Sequence, residues 1–419
     1  MLKKTKTRDL RPGMFVIDIG CNWLNHPWET RNIILGCQEE IEHLEKRGIF
    51  EVTVDTDKSI CGLNNPAEPE PVPGPPPPSL SRAPADQKPH PKQEPPHGGP
   101  VSQVELELPK AAKIYTRVLN TTRALVAACR MNKKIEIKAV EENVQDLIES
   151  VSRNRDALMA LMKLHRLDDY TYTHSLNVSV LAISAGKTMG LGETELLDLG
   201  LGTMFHDLGK SRIPGHILNK LSKLTLEEHA IMRNHAALSG NIIRDQKLKV
   251  DDIVYDIARH HHERIDGSGY PDHLKGQEAI PGLVSICGLS DVYDALSSDR
   301  VYRQGHSPHE SLKFLYGLRG SHFQAELVDR FVQSVGIYPP GTIIQLNSKQ
   351  TAVVMEVDPA ALQAPLIKII ADSAGVIYAR PLLLNLACET EAKGLKIDRV
   401  VSRGEAGFNP SFYFNPPKE

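Results

Sequence analysis

The chain has 419 residues, of which 41% are hydrophobic and 24% are charged, so it is typical of globular proteins and long enough for more than one domain. Its formal net charge of −3 excludes a global attraction to DNA or to an anionic membrane. The cationic start has no apolar run behind it, no stretch approaches the roughly 18 apolar residues of a membrane span, and the six cysteines are scattered, so a cytoplasmic location is expected.

Residues 1–65 are predicted to form a small α/β accessory domain with a possible regulatory role. A short strand pattern covers residues 14–19, a charged helix pattern covers 38–47, and period-two alternation over 50–55 predicts a second strand. The proline-rich residues 66–102 cannot bury a core and favour extended conformations. This stretch is predicted to be a linker, with a docking peptide for a partner as the alternative.

The pattern from residue 103 to 338 is helical and predicts an all-α domain. Apolar residues recur at three- and four-residue spacing over 111–128 and 139–164. Capping boxes predict that helices begin at Thr225 and at Ser307. Residues 339–419 then switch to β-branched segments at 342–346, 351–357 and 366–370, which predict a β-rich C-terminal extension.

The segment His261–Pro271 reads His-His-Glu-Arg-Ile-Asp-Gly-Ser-Gly-Tyr-Pro. Adjacent histidines on a regular helix point about 100° apart, so they meet one metal only where the helix loosens. The two glycines and the proline supply such an ending after a helix predicted over 250–260. Arg264 adds a donor suited to phosphate. A metal pair beside a phosphate-facing loop is one interpretation, and a histidine-rich helix end on the surface is the other.

Further imidazole and carboxylate groups are predicted on different helices, which is how a helical bundle builds an internal metal site. The set has no thiolate, so it suits iron, manganese, cobalt, nickel or zinc and argues against a structural cysteine–zinc site. His235 is predicted on the helix that begins at Thr225, and His206-Asp207 near the end of a helix over 196–209. His174 and Asp291 are predicted on helices over 173–189 and 283–297.

The sequence His206-Asp207-Leu208-Gly209-Lys210, with His174 before it and Asp291 after it, resembles the HD superfamily of metal-dependent phosphohydrolases. Together with His235, the histidine pair and the Gly-Ser-Gly-Tyr-Pro sequence, it resembles the HD-GYP family, which are bacterial cyclic di-GMP phosphodiesterases. The resemblance covers roughly residues 152–337, and the segment before it resembles an accessory segment of unknown role. It implies a mainly α fold, an HD-type helical bundle between the α/β module and the β-rich extension.

The resemblance implies a site for two divalent transition-metal ions, with iron as the first choice and manganese, cobalt, nickel or zinc as alternatives. The first ion would be held by His174, His206, Asp207 and Asp291. The second would be held by His235, His261 and His262, with the Asp207 carboxylate bridging both. A hydroxide shared by the two ions would attack a phosphorus atom of cyclic di-GMP, giving pGpG and, after further cleavage, GMP.

The resemblance also implies residues that contact the substrate. Lys210 would face the phosphate and, with Asp207, belong to the catalytic set. The others would grip the substrate or order the loop that lines the site: Arg264, Asp266, Tyr270, Arg300 and Arg303. Some family members carry a glutamate where this chain has Tyr170, so two ions are expected rather than three.

Two other functions stay open at this point. The first is a cyclic di-GMP receptor or interaction module with weak or no turnover, which recruits a diguanylate cyclase domain through the Gly-Tyr-Pro loop. The second is an HD phosphohydrolase of another nucleotide, against which the Gly-Tyr-Pro loop argues. The first domain is further expected to control access to the site or to mediate a homodimer.

Overall fold

Two units make up the chain in the computed structural model, Met1–Pro95 and Pro96–Glu419, and each is described by itself. The structure describes residues 2–11, 14–18, 33–34, 51–55, 101–164, 170–218, 220, 224–298 and 305–414. The helix predicted over 38–47, the proline-rich stretch, Arg300 and Arg303 lie outside these residues. The domain boundaries drawn from the sequence therefore stay predictions.

An antiparallel sheet with the strand order β1-β4-β2-β3 forms the described part of the first unit. Its strands are β1 (Leu2–Lys6), β2 (Phe15–Asp18), β3 (Ile33–Ile34) and β4 (Glu51–Asp55). Strands β2 and β4 match the two predicted strands, and their valines are buried. Strand β1 was not predicted because its lysine-rich sequence lacks an apolar pattern, and its place comes from backbone pairing along the whole of β4.

Four long helices open the second unit: α1 (Gln103–Arg130), α2 (Ile137–Leu164), α3 (Tyr170–Met189) and α4 (Glu193–Phe205). Helix α1 begins earlier than predicted because Ser102 caps it, accepting from the backbone of Glu105 while the Glu105 carboxylate accepts from the backbone of Ser102. Helix α3 is buried along most of its length, and Leu176, Val178 and Leu181 are fully buried. It is therefore the central helix of the bundle, and it carries His174.

Seven further helices complete the described bundle: α5 (Gly215–Leu218), α6 (Leu226–Arg233), α7 (His235–Asp245), α8 (Asp252–His260), α9 (Gly282–Ser297), α10 (Pro308–Gly317) and α11 (Ala325–Val335). The capping boxes predicted at Thr225 and Ser307 are both confirmed. The expectation that His235 lies on the helix begun at Thr225 was wrong. Asn234 closes α6, its N–H bonding to the carbonyls of Ile231 and Met232, so His235 opens a helix of its own.

The helix predicted over 196–209 ends earlier, at Phe205, so His206 and Asp207 follow α4. Asp207 leaves the helical range with φ −104° and ψ 4°, and the chain continues as a 3-10 turn over Leu208–Arg212. The early ending turns the carboxylate of Asp207 out of the α4 periodicity. This local change of conformation is what directs the His-Asp pair into the site.

A five-stranded antiparallel sheet follows the bundle in the order β8-β7-β6-β5-β9, with the short helices α12 (Glu389–Ala392) and α13 (Arg403–Ala406). Strands β5 (Ile343–Leu346), β6 (Thr351–Glu356) and β7 (Leu366–Ala371) match the predicted segments, whereas β8 (Ile377–Asn385) and β9 (Ile397–Val400) were not predicted. The sheet is tied to α1 by a buried ion pair, in which Nζ of Lys368 lies 2.7 Å from Oε1 of Glu105. Among the described residues, no helix is both long and apolar enough to cross a membrane. The mainly α fold predicted from the sequence is confirmed.

Candidate metal centre

The seven predicted ligands converge, although they come from five places in the bundle. His174 lies on α3, His206 and Asp207 follow α4, His235 begins α7, His261 and His262 follow α8, and Asp291 lies on α9. Their ligand atoms form three groups, and within each group the atoms lie within 4.8 Å of one another. The groups are His174, His206 and Asp291; His235, His261 and His262; and His206, Asp207 and His261. The third group joins the other two, so the ligands form one continuous cluster.

Three of these histidines share one hydrogen-bonding pattern at a helix end. In His206, His235 and His261, Nδ1 lies 2.6, 2.7 and 3.1 Å from the carbonyl oxygen of the residue three positions earlier. Each of those carbonyls lies in the last turn of α4, α6 or α8, where the regular pattern of bonds from the N–H four residues later comes to an end. A carbonyl oxygen can only accept, so Nδ1 carries the hydrogen and Nε2 keeps a free electron pair. The ends of α4, α6 and α8 therefore turn the Nε2 atoms of all three histidines towards the site, where Nε2 of His235 lies 3.1 Å from Nε2 of His262.

The surroundings of the Nε2 atoms of His206 and His261 show whether the cluster fits a cation. Both are buried, and within the described ranges neither has a hydrogen-bond partner. A buried polar atom without a partner costs about 1–3 kcal/mol, so such atoms are rare unless something else satisfies them. An electron pair aimed into a carboxylate-bearing cluster is what a divalent cation requires. The residues present therefore fit a divalent metal site.

The charges of the cluster agree with that fit. Burial lowers the pKa values of His261 and His262 well below the usual range, and it lowers the pKa of His235 to about 4. Burial alone would raise the pKa of Asp207, but Lys210 and the neighbouring histidines hold it well below its usual range. At neutral pH these imidazoles are neutral and this carboxylate is ionised, which are the forms that ligate metals.

His174 lies between carboxylates on both sides of its ring. Nε2 lies 3.1 Å from Oδ1 of Asp291, and Nδ1 lies 2.7 Å from Oδ2 of Asp294. Burial lowers the pKa of His174, but these hydrogen bonds outweigh it and raise the pKa to about 9. The Nε2 position therefore attracts a positive charge, which is a proton or a metal cation. Asp294 contacts the His174 ring on the side opposite to Asp291.

Ser239 and Gly209 lock α7 onto the turn that carries the His-Asp pair. The Ser239 hydroxyl donates to the carbonyl of His206 at 2.6 Å and accepts from the backbone N–H of Gly209 at 2.8 Å. A Cβ atom on Gly209 would lie 2.0 Å from the carbonyl oxygen of His235. Sequence reasoning missed Ser239, although its place one turn after His235 on the same face of α7 was a usable signal.

Glu263, Arg264 and Asp266 order the loop that contains Gly-Tyr-Pro. The buried Glu263 carboxylate accepts from the backbone N–H groups of Asp272 and Leu274 at 2.7 and 3.0 Å, a role that the sequence did not indicate. Asp266 accepts from the backbone and hydroxyl of Ser268. Arg264 donates to the carbonyls of its neighbours in the loop. Its guanidinium is thus directed at the backbone, rather than out towards a phosphate as its sequence had suggested.

Tyr270 lies beside the ligands, with its ring stacked on that of His262 at 4.6 Å between centroids. The guanidinium of Arg233, at the end of α6, lies 5.4 Å from the Tyr270 ring centroid. Arg233 was not predicted at the site, because nothing in the local sequence brings the end of α6 to this loop. The side chain of Tyr170, on which the expectation of two ions rests, lies outside the described residues.

Comparisons with known proteins give two family matches and several similar proteins. The family described as "HD domain" matches residues 115–327, and "Domain of unknown function (DUF3391)" matches residues 2–140. Cyclic di-GMP phosphodiesterase PA4108 of Pseudomonas aeruginosa is 31% identical over 423 residues, covering 99% of this chain and 94% of that protein.

Two further relatives match shorter parts of the chain. Cyclic di-GMP phosphodiesterase response regulator RpfG of Xanthomonas campestris is 30% identical over 247 residues, covering 56% of this chain and 64% of that protein. The 3'3'-cGAMP-specific phosphodiesterase 2 of Vibrio cholerae is 33% identical over 163 residues, covering 39% of this chain and 31% of that protein. Because the HD-domain match spans half of the sequence and the Pseudomonas relative aligns along nearly all of it, the chain belongs to the HD-domain family, and its Gly-Ser-Gly-Tyr-Pro loop makes it a member of the HD-GYP type.

Proposed function

We propose that the chain is a metal-dependent phosphodiesterase that hydrolyses cyclic di-GMP to pGpG and, with further cleavage, to GMP. The observation that carries the proposal is the convergence of seven imidazole and carboxylate ligands from five places in the bundle. The end-to-end similarity to a protein named cyclic di-GMP phosphodiesterase supports the choice of substrate. Hydrolysis of a phosphodiester by such a ligand set is a known use of paired metal ions.

The proposed ligand sets are His174, His206, Asp207 and Asp291 for one ion and His235, His261 and His262 for the other. Asp207 is the proposed bridge because its two oxygens face different histidines. Oδ2 lies 3.5 Å from Nε2 of both His174 and His206, whereas Oδ1 lies 3.4 Å from Nε2 of His235. When bound, the ions would supply Lewis acidity at phosphorus and lower the pKa of water. Iron is the first candidate, followed by manganese, cobalt, nickel and zinc, because imidazole and carboxylate suit all of them.

Lys210 is the proposed contact to the reacting phosphate. Its Nζ lies 2.5 Å from Oδ2 of Asp207, and the side chain is 29% exposed, so the ammonium lies between the ligand cluster and solvent. An ammonium there offsets negative charge that develops on the phosphate oxygens. Tyr270 stacks on His262 beside the cluster, and Arg264 and Asp266 hold the loop in shape. Arg300 and Arg303 are also proposed to bind the substrate; both lie outside the residues that the structure describes.

Hydrolysis of a different cyclic dinucleotide is the second candidate. The Vibrio relative named as specific for 3'3'-cGAMP is 33% identical over 163 residues. The ligand cluster can act on the phosphodiester of either nucleotide, since it recognises no base. A receptor or interaction role, with the Gly-Tyr-Pro loop docking a diguanylate cyclase or with the chain as a homodimer, is proposed only in addition to catalysis, because every ligand position is filled.

The experiment uses the full chain, purified and analysed for metal, then loaded with Fe(II) or Mn(II). Cyclic di-GMP, 3'3'-cGAMP and cyclic di-AMP are supplied separately, and the products are separated by chromatography. Asp207→Ala is compared with Asp245→Ala, which removes an exposed carboxylate paired with Arg212 at 3.1 Å. We expect turnover of cyclic di-GMP by the wild type and by Asp245→Ala, and its loss in Asp207→Ala.

Equal turnover by Asp207→Ala would remove the metal-dependent mechanism. Faster turnover of 3'3'-cGAMP than of cyclic di-GMP would mean that the second candidate, hydrolysis of a different cyclic dinucleotide, is the function. Tight binding of cyclic di-GMP without hydrolysis under any of the metals would leave a receptor as the function.

A further inference from the structure

A line of buried hydrogen bonds leads from the metal centre to helix α1. The hydroxyl of Tyr115 donates to Oδ1 of Asn177 at 2.9 Å, and Nδ2 of Asn177 donates to Oδ1 of Asp294 at 3.0 Å. Oδ2 of Asp294 accepts from Nδ1 of His174 at 2.7 Å. All four residues are buried, with at most 6% of their surface exposed. The line joins residues that are 62, 117 and 120 positions apart in the chain.

His174 needs such a partner because of its place in the fold. The other histidines that present Nε2, namely His206, His235 and His261, take their Nδ1 partner from a carbonyl in the last turn of a helix. His174 lies inside α3, where each carbonyl already accepts from the backbone N–H four residues later. A side chain must therefore receive its Nδ1 hydrogen, and Asp294 is that side chain.

Tyr115 determines which atom donates and which accepts in each hydrogen bond of this line. A phenol hydroxyl held against an amide oxygen donates to it, so Oδ1 of Asn177 is directed at Tyr115 and Nδ2 at Asp294. Asp294 also accepts from the hydroxyl of Ser298 at 2.9 Å. With Oδ1 of Asp294 occupied by these donors, Oδ2 is left to accept from Nδ1 of His174. Nε2 of His174 faces Asp207 and Asp291, and its electron pair becomes available to a cation that displaces the Nε2 proton.

We propose that Tyr115 is a positioning residue of the metal centre, which acts through Asn177 and Asp294 to hold His174 in the tautomer that presents Nε2 to a cation. Tyr115 lies on α1 within residues 2–140, the stretch that matches the domain of unknown function, and it is also the first residue of the HD-domain match. Helix α1 thereby has a direct influence on metal binding. The inference rests on the proposed metal site and does not depend on which nucleotide is cleaved.

The test measures Mn(II) binding to the metal-free full chain by calorimetry and by electron paramagnetic resonance. Asp294→Asn is expected to raise the dissociation constant of one Mn(II) about 10–100-fold, as for other groups that orient a ligand histidine. Tyr115→Phe is expected to raise it by less, about five-fold, since it removes one neutral hydrogen bond two groups further away. Turnover by Tyr115→Phe should then recover at saturating Mn(II), so the loss lies in metal affinity and not in kcat.

Thr122→Val is the matched control on the same helix. It removes a buried hydroxyl that donates to the carbonyl of Val118 at 2.9 Å and lies 4.0 Å from Sδ of Met204, and neither of these partners belongs to the line of hydrogen bonds. Its dissociation constant for Mn(II) should equal that of the wild type. Tyr115→Phe is also made in an Asn177→Ala background, where it should have no further effect because the intermediate group is gone.

Equal Mn(II) affinity of Tyr115→Phe and wild type would overturn the inference while leaving the metal site intact. The same conclusion would follow if Tyr115→Phe weakened binding equally in the Asn177→Ala background, or if Thr122→Val weakened it as much. A wild type that binds no metal would instead overturn the proposed function together with this inference.

Discussion

Nζ of Lys210 lies 2.5 Å from Oδ2 of Asp207, the carboxylate that is proposed to bridge two ions. The same carboxylate faces His174 and His206 on one side and His235 on the other. Lys210 thus helps to keep Asp207 ionised before any cation binds, and part of its side chain is exposed to solvent. One lysine therefore has two separable effects, on the charge of a ligand and on the substrate phosphate.

The first prediction separates these effects with Lys210→Met. We expect kcat to fall about 10²–10³-fold, the usual loss when a donor to developing charge is removed. The number of ions bound should be unchanged, because an ammonium is not a ligand. Steady-state kinetics and metal analysis of the same sample measure both, with Lys220→Met, a lysine paired with Glu228, as the control. Parallel loss of metal and activity would mean that Lys210 acts only by supporting Asp207.

Gly209→Ala is expected to disrupt the centre through the backbone. The added Cβ atom would lie 2.0 Å from the carbonyl oxygen of His235, so α7 must move away from the turn that carries Asp207. We expect a loss of about 1–3 kcal/mol in the free energy of unfolding, with weaker metal binding. Urea unfolding and Mn(II) titration measure the two effects. Gly282→Ala is the control, because a Cβ atom there would meet no atom within 4 Å; equal behaviour of the two variants would contradict the packing argument.

Ser239→Ala removes the side chain that joins the same two elements without adding bulk. It leaves the backbone N–H of Gly209 and the carbonyl of His206 without this buried partner. We expect the free energy of unfolding to fall by about 1–3 kcal/mol, measured by urea denaturation. In the control, Ser290→Ala, the lost hydroxyl donates only within its own helix, to the carbonyl of Ile286 at 2.8 Å. The idea fails if the two serine variants lose the same stability.

Asp156 is predicted to give the second unit a pH-dependent stability. Helix α2 kinks at Asn154, and Oδ2 of Asp156 accepts from the backbone N–H of Val357, after β6, at 2.7 Å. Burial raises the pKa of Asp156 from 3.8 to about 6. Between these values the folded chain binds more protons than the unfolded chain, so stability falls as pH rises through this window. A shift of about two pKa units corresponds to about 3 kcal/mol.

Asp156→Asn should remove this dependence, because an amide does not titrate and its oxygen can still accept from Val357. The free energy of unfolding of the variant, minus that of the wild type, should rise by up to about 3 kcal/mol from pH 4 to pH 7. Chemical denaturation of metal-free protein at several pH values measures the difference, in which the other titrating groups cancel. If the difference in free energy of unfolding stayed constant from pH 4 to pH 7, the carboxyl group of Asp156 would not be the group that takes up a proton in the folded chain.

Local patterns were enough to predict much of this protein. The capping boxes at Thr225 and Ser307 are confirmed because a cap is satisfied within four residues. The ending of a helix just before His261 was also foreseeable, since two adjacent histidines cannot share a site on a regular helix. The seven candidate ligands were identified because their residue types and motifs, in this order, resemble those of the HD-GYP family.

Other features had no local mark in the sequence. Strand β1 forms through pairing with β4, and the separation of α6 from α7 turns on the conformation of a single residue, Asn234. Ser239, Glu263, Arg233 and Tyr115 are ordinary residue types whose partners are set by packing of distant elements. The fold therefore added the supporting groups to a set of candidate ligands that the sequence had already indicated.

The amino-acid order alone was sufficient to identify the bundle, its family resemblance and the atoms able to ligate a cation, because periodicity, capping and residue chemistry are short-range properties. For four of the five candidate histidines, only the tertiary structure decides which nitrogen faces the proposed metal site. For His206, His235 and His261 the decisive contact is a nearby carbonyl at a helix end, and for His174 it is a carboxylate 120 residues away. A tautomer depends on a hydrogen-bond partner, and such a partner exists only once the helices have packed.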